Sequence, residues 1–132
     1  MKKILFLLTM LTFFISVNCG DKNAKFKTIS APEFLDLIGG SQNVILIDVR
    51  TPEEFAEGHI PAANNLDVKS LDFKNRLLEN YKDKKIVYAL YCRSGHRSKL
   101  AAQILVDNGY TEVYEMEGGF NAWKEKDFPI EK

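Results

Sequence analysis

A single cysteine opens a segment rich in Arg, Ser and Gly, which reads "YCRSGHRSKL" (91–100). The nucleophilic form of cysteine is the thiolate, which nearby positive charge and helix N-termini favour. If the loop after Cys92 folds back over the sulfur, its backbone N–H groups form a nest that binds anions. Gly95 permits the necessary turn, while Arg93 and Arg97 add permanent positive charge. The segment therefore predicts a nucleophile, Cys92, in an anion-binding loop.

A simpler interpretation is that Cys92 is a small buried hydrophobic residue, as free cysteines often are. Arg93 and Arg97 would then be solvated surface charges. The order of strand, cysteine, glycine-containing loop and helix favours the catalytic interpretation. His96 is expected to shape the loop, with direct proton transfer as the alternative.

A metal site at this cysteine is not expected. Only His59 and His96 could join Cys92 as ligands, and no two of these residues have the spacing of a zinc motif. The sequence therefore predicts neither a metal nor another cofactor.

The surrounding sequence must place Cys92 at the end of a strand. Apolar runs predict strands at residues 43–49, 64–68, 84–92 and 113–116, and helix signals mark residues 28–40, 51–58, 70–81, 98–108 and 120–126. This alternation predicts an α/β domain with a mostly parallel central sheet and helices on both faces. Ligands of such sheets bind at the C-terminal ends of the strands, where Cys92 lies.

The composition fits one domain with a separate N-terminal segment. The 132 residues carry no formal net charge, which argues against a nucleic-acid partner because such partners usually require a basic patch. Residues 1–18 combine a basic start with about 14 apolar residues, which predicts an export signal; an uncleaved membrane anchor is the alternative. Residues 19–27 are predicted to form a polar tether, and residues 28–132 the domain.

The signal ends at "SVNC" (16–19), which resembles a bacterial lipoprotein signal. The resemblance implies that Cys19 becomes the lipid-bearing first residue of a periplasmic, membrane-anchored protein. Cys92 would then be the one unpaired thiol of an exported chain, which calls for a reason.

Three motifs together resemble a single-domain rhodanese, a sulfurtransferase. They are "LIDVRTPEEFAEGHIPAANNL" (46–66), "YCRSGHRS" (91–98) and "MEGGFNAWKEKDFPI" (116–130), the last containing Trp123. The resemblance covers nearly all of the chain from about Thr28 to Ile130. Ala62 or Ala63 stands where the family often has Gly.

The resemblance implies a role for each matching residue. Cys92 would take a sulfane sulfur from thiosulfate or a similar donor, become a persulfide, and pass the sulfur to a thiol or to cyanide. Asp48 and Arg50 would brace the loop, or else form an ordinary surface ion pair. Gly58, His59 and Pro61 would shape a turn. The donor would be bound by the six residues that follow the cysteine, Arg93, Ser94, Gly95, His96, Arg97 and Ser98.

Three other functions remain open from the sequence. The first is a persulfide carrier that serves a protein partner with little small-molecule turnover. The second is a phosphatase or arsenate reductase, although their Cys-x5-Arg loops place Arg six positions after Cys, whereas Arg97 follows Cys92 by five. The third is an inactive binding module.

Overall fold

The computed structural model describes residues 25–40 and 42–132, which form a parallel sheet of five strands between two layers of helices. The strands are β1 (Lys27–Ile29), β2 (Val44–Asp48), β3 (Asn64–Asn65), β4 (Val87–Tyr91) and β5 (Glu112–Met116). The helices are α1 (Ala31–Ile38), α2 (Pro52–Glu57), α3 (Phe73–Asn80), α4 (His96–Asp107) and α5 (Gly119–Glu125). The strand order is β1-β5-β4-β2-β3, with every pair parallel. The predicted fold class is confirmed.

The sheet sets the direction of the cysteine side chain. Strand β4 lies between β5 and β2, and all five of its residues are buried. Tyr88 and Leu90 pack with α3 and α4, whereas Ala89 and Tyr91 pack with α1 and α5. Cys92 continues this alternation, because side chains on a strand point to opposite faces in turn. Its sulfur therefore lies on the face covered by α3 and α4.

Two helix starts follow their predicted signals. Ser30 accepts a hydrogen bond from the Glu33 amide at 3.3 Å and caps α1. Thr51 and Glu54 form a reciprocal capping box at the start of α2. These bonds satisfy amide groups that a helix N-terminus leaves without partners.

Several boundaries differ from the prediction. Strand β1 was not predicted, and it begins at Lys27, the last residue assigned to the tether; its three residues are too few for a periodic pattern. Helix α4 starts at His96 rather than Ser98, and α3 starts at Phe73 rather than at residue 70. The predicted strand at 64–68 is limited to Asn64–Asn65, which pair with the end of β2.

The predicted signal peptide and Cys19 lie outside the described residues, as does the tether up to residue 24. Within residues 25–40 and 42–132, no helix is long and apolar enough to cross a membrane.

A glycine allows α5 to approach the end of β4. Gly119 has a φ of 57°, and a Cβ added there would lie 2.5 Å from the Cys92 carbonyl oxygen and 2.7 Å from the Arg93 carbonyl carbon. Real Cβ atoms essentially never approach backbone atoms so closely. The start of α5 can therefore meet the cysteine loop only if this residue has no side chain.

We expect Gly119→Ala to lower the free energy of unfolding by about 3 kcal/mol, since it combines a collision with an unfavourable left-handed conformation. Gly109→Ala is the matched control, because Gly109 has a φ of 88° but an added Cβ would meet only Lys84 side-chain atoms, at 3.8 Å and beyond. Its expected loss is about 1 kcal/mol. Urea denaturation measures both values, and equal losses would contradict the close approach.

A second left-handed position falls in the first motif. Ala62 has a φ of 66°, a conformation that disfavours residues with a Cβ. This backbone accounts for the glycine that the family often carries in the "PAA" segment.

Ala62→Gly is expected to raise the free energy of unfolding by about 1 kcal/mol, because glycine adopts this conformation without strain. Ala56→Gly, at an exposed position inside α2, should instead lower it by about 1 kcal/mol. Opposite signs in thermal unfolding would support the assignment, and a loss in both variants would refute it.

Candidate active site

Cys92 lies immediately after β4, with 1% of its surface exposed. The Gly95 amide donates a hydrogen bond to its sulfur at 3.1 Å. The sulfur lies 3.5 Å from the Ser98 hydroxyl oxygen, to which the thiol can donate. The nucleophile predicted from the sequence is thus a buried thiol held by one amide and one hydroxyl group.

The loop turns at Gly95, which has a φ of 104° and immediately precedes α4. Helix N-termini carry a partial positive charge, so the first turn of α4 favours negative charge at the sulfur. The hydrogen bond to the sulfur comes from Gly95, whereas the predicted nest involved all the amides from Arg93 to Ser98. Ser94 and His96 are exposed at the surface of the loop.

Helix α5 holds the loop from behind. The Phe120 amide donates to the Cys92 carbonyl oxygen at 2.8 Å, and the Asn121 amide donates to the Arg93 carbonyl oxygen at 3.0 Å. The loop carbonyl groups therefore satisfy amides at the start of a helix, which would otherwise lack partners.

Asp48 and Arg50 form a buried ion pair beside the loop. The closest contact, between Arg50 Nη2 and Asp48 Oδ2, is 2.6 Å. Arg50 also donates to the Gly58 carbonyl oxygen at 2.7 Å, and its guanidinium lies 4.2 Å from the Phe120 ring centroid. Burial opposes the charge of Arg50, but the hydrogen bonds and charge of Asp48 outweigh it and raise the pKa of Arg50. Phe120 connects the ion pair to the loop, because its ring contacts Arg50 and its amide binds the Cys92 carbonyl oxygen.

Arg97, at the start of α4, binds Glu54 of α2. Two parallel hydrogen bonds of 2.7 and 2.9 Å join the two side chains. The bonds from Arg97, helped by Thr51, outweigh the effect of burial and lower the pKa of Glu54 to about 2. The Arg97 guanidinium binds Glu54, and the expectation that Arg97 helps to hold the donor stays a prediction. The helix signal at residues 51–58 gave no indication of this contact.

Arg93 lies at the rim of a cavity of about 270 Å³ beside the loop. Within the described part of the chain, neither Arg93 nor the lysines that line this cavity, Lys124 and Lys132, form a salt bridge. The lining residues are Arg50, Glu54, Glu57, Gly58, Arg93, Phe120, Asn121, Lys124, Ile130 and Lys132. Four of these side chains are basic and two are acidic, which favours an anionic ligand.

The remaining motif residues hold the chain near this cavity. His59 stacks on Phe55 with 3.7 Å between ring centroids, and its backbone pairs with that of Glu131. The Trp123 ring N–H donates to the Pro129 carbonyl oxygen at 2.9 Å. Among the described residues, no group of three His, Cys, Asp or Glu side chains could hold a metal ion.

Sequence reasoning did not identify Glu115, which lies on β5 beneath the loop. It is fully buried, and it accepts a hydrogen bond of 2.9 Å from the Ser98 hydroxyl. An acidic residue inside a predicted buried strand is the signal that could have found it.

Comparison with known proteins identifies relatives of this chain. The chain is 43% identical to the uncharacterized protein YqhL of Bacillus subtilis over 97 residues. The matched region covers 74% of this chain and 71% of that protein. It is 39% identical to a sulfurtransferase of Allochromatium vinosum over 70% of this chain and 83% of the relative. It is 34% identical to the thiosulfate sulfurtransferase GlpE of Pseudoalteromonas translucida, over 75% of this chain and 90% of the relative.

Solved structures show the same fold. The crystal structure of a rhodanese-related protein from Thermoplasma volcanium matches with a TM-score of 0.67 and 27% identity, over 80% of this chain and 98% of that one. A rhodanese with anions from E. coli matches with a TM-score of 0.56 and 34% identity, over 68% of this chain and 99% of that one. Residues 30–126 match the rhodanese-like domain family. The chain therefore belongs to the rhodanese-like domain family.

Proposed function

We propose that this protein is a sulfurtransferase that carries sulfane sulfur on Cys92, from thiosulfate or a similar donor to a thiol or cyanide acceptor. The observation that carries the proposal is the buried Cys92 thiol between the Gly95 amide and the Ser98 hydroxyl, at the start of α4. The sulfurtransferases among its relatives support the same reaction class.

In the first half-reaction, the Cys92 thiolate attacks the outer sulfur of thiosulfate. A new S–S bond forms, and the S–S bond of thiosulfate breaks, so sulfite leaves with the bonding electron pair. In the second, an acceptor thiolate or cyanide attacks the outer sulfur of the persulfide, and Cys92 leaves as the thiolate. Such a two-step exchange predicts ping-pong kinetics.

The charges around the loop suit an anionic donor. Arg93 is exposed beside the cysteine, and Lys124 and Lys132 line the adjoining cavity. These cations attract a dianion towards the loop, and the N-terminus of α4 favours negative charge at the sulfur. Arg97 contributes indirectly, because its bonds to Glu54 tie the first turn of α4 to α2.

The sixth position after the cysteine favours sulfur transfer over phosphatase or arsenate reductase action. In loops of the Cys-x5-Arg type this position carries the arginine, whereas here it is Ser98, which is buried against Cys92 and Glu115. Its hydroxyl supplies no positive charge for a phosphoryl group. Assays with p-nitrophenyl phosphate and arsenate should therefore show no turnover.

Wild-type protein is expected to form thiocyanate from thiosulfate and cyanide, and Cys92→Ser should reduce this to background because the serine hydroxyl cannot form a persulfide. Cys19→Ser, which removes the other cysteine of the chain, is the matched control and should keep the activity. Thiocyanate is measured colorimetrically, and intact mass spectrometry detects the added sulfur atom.

Two other results would change the assignment. Stoichiometric loading of one sulfur atom with negligible multiple turnover would change the assignment from an enzyme to a persulfide carrier. Wild-type protein that neither gains a sulfur atom nor forms thiocyanate would refute both.

We further propose that the protein is exported to the bacterial periplasm and anchored to a membrane through a lipid on Cys19. The proposal rests on the basic and apolar residues 1–18 and on "SVNC" (16–19). Attachment at this point would place the sulfurtransferase site outside the cytoplasm, at a membrane surface.

Intact mass spectrometry of protein from the membrane fraction should show a chain that begins at Cys19 and carries acyl chains. Cys19→Ala should lack the acyl mass and leave the membrane fraction, because one modification supplies the anchor. Detection of the full chain from Met1 in the soluble fraction would contradict the proposal.

A further inference from the structure

Glu115 is a buried acidic group that the reaction proposed above does not use. It lies on β5, beneath the cysteine loop, with 0% of its surface exposed. Its Oε1 accepts a hydrogen bond from the Ser98 hydroxyl at 2.9 Å, and the Ser98 oxygen lies 3.5 Å from the Cys92 sulfur. Cys92, Ser98 and Glu115 therefore form a continuous hydrogen-bonded chain from the nucleophile into the protein core.

The hydrogen-bonding capacity of Glu115, at the inner end of this hydrogen-bonded series, is incompletely satisfied. The second carboxylate oxygen, Glu115 Oε2, is buried and has no hydrogen-bond partner among the described residues. Buried side-chain oxygens usually have a partner, and an ionised oxygen without one is costly. A proton that arrives along these hydrogen bonds would neutralise Glu115 and leave the negative charge on the sulfur, where the Gly95 amide donates.

No cation in the described part of the chain neutralises Glu115 through a salt bridge. Arg50 and Arg97 are bound to Asp48 and Glu54. The other ionisable groups on the surrounding elements are Lys27 of β1, Tyr88 and Tyr91 of β4, Asp67 after β3, Arg93 of the loop, His96, Lys99 and Asp107 of α4, Glu112 and Tyr114 of β5, Glu117 after it, and Lys124 and Glu125 of α5. Ser98 connects Glu115 to the sulfur through hydrogen-bond contacts.

We propose that Glu115 accepts the proton of the Cys92 thiol through Ser98. The S–H bond of Cys92 breaks as its proton passes to Ser98 Oγ, and the former Ser98 proton passes to Glu115 Oε1. Thiol and carboxylate become thiolate and carboxylic acid, with no change in total charge or proton number. Glu115 then donates to Ser98, and Ser98 donates to the thiolate, so the same heavy-atom positions serve both states.

The transfer assigns Glu115 as a positioning residue that acts on the nucleophile through Ser98. It produces the thiolate without leaving a second negative charge beneath the loop, where it would repel an anionic donor. The inference rests on the proposed function only in taking Cys92 as the nucleophile.

The test is the pH dependence of Cys92 alkylation by iodoacetamide, measured in a Cys19→Ser background without any sulfur donor. Two coupled groups that share one proton titrate in two steps, so the wild-type rate should rise to a partial plateau and then rise again. Glu115→Gln keeps the size of the side chain but cannot take the proton. Its profile should have one step, with a rate on the former plateau lower by about tenfold or more.

Two further variants complete the experiment. Ser98→Ala removes the connecting hydroxyl and should also depress the plateau. Glu117→Gln removes a carboxylate from an exposed position just after β5 and should retain both steps. A purely structural role of Glu115 would scale the rate equally at every pH and leave the number of steps unchanged.

A single step in the wild-type protein would overturn the proposal, and this result does not depend on whether Glu115→Gln folds. Superimposable profiles for wild type and Glu115→Gln would overturn it equally. Because no sulfur donor is present, a failure of sulfur transfer leaves this test intact. A failure of this test likewise leaves the thiocyanate assay intact.

Discussion

Two amides at the start of α5, those of Phe120 and Asn121, donate hydrogen bonds to the carbonyl oxygens of Cys92 and Arg93. The conformation of the cysteine loop depends on these bonds, because they fix its peptide groups against a helix that is itself anchored in the core by Trp123. With these carbonyl groups bound to α5, the Gly95 amide is directed to the sulfur. The absence of a side chain at Gly119 makes the approach possible.

The same helix links the loop to the buried ion pair of β2. Phe120 contacts the Arg50 guanidinium, and Arg50 is bound by both oxygens of Asp48. Burial of two charges is costly, and the additional bond from Arg50 to Gly58 helps to offset that cost. The first and third sequence motifs thus meet behind the cysteine of the second. Although these two motifs are far apart in sequence, they are in direct contact through Arg50 and Phe120.

The order of elements and the position of the cysteine could be predicted because they depend on local patterns. The apolar run before Cys92 specifies a buried strand, and Gly95 specifies the turn. The partner of Arg97 could not be predicted, since Glu54 belongs to a helix that is distant in sequence. The contact of Glu115 with Ser98 depends on the order of strands, which places β5 beside β4, and no local pattern encodes that order.

The direction of the chain has a consequence for biosynthesis. Cys92 leaves the ribosome before Ser98, Glu115 and the start of α5, which together supply its hydroxyl partner, the buried carboxylate and the backbone bonds that hold its loop. Strand β4 likewise gains its neighbour β5 only after α4 has been made. Long-range contacts of this kind form late in folding. During synthesis the nascent chain therefore carries an ordinary, unprotected thiol, and the environment that shapes its reactivity is completed only with the last helix.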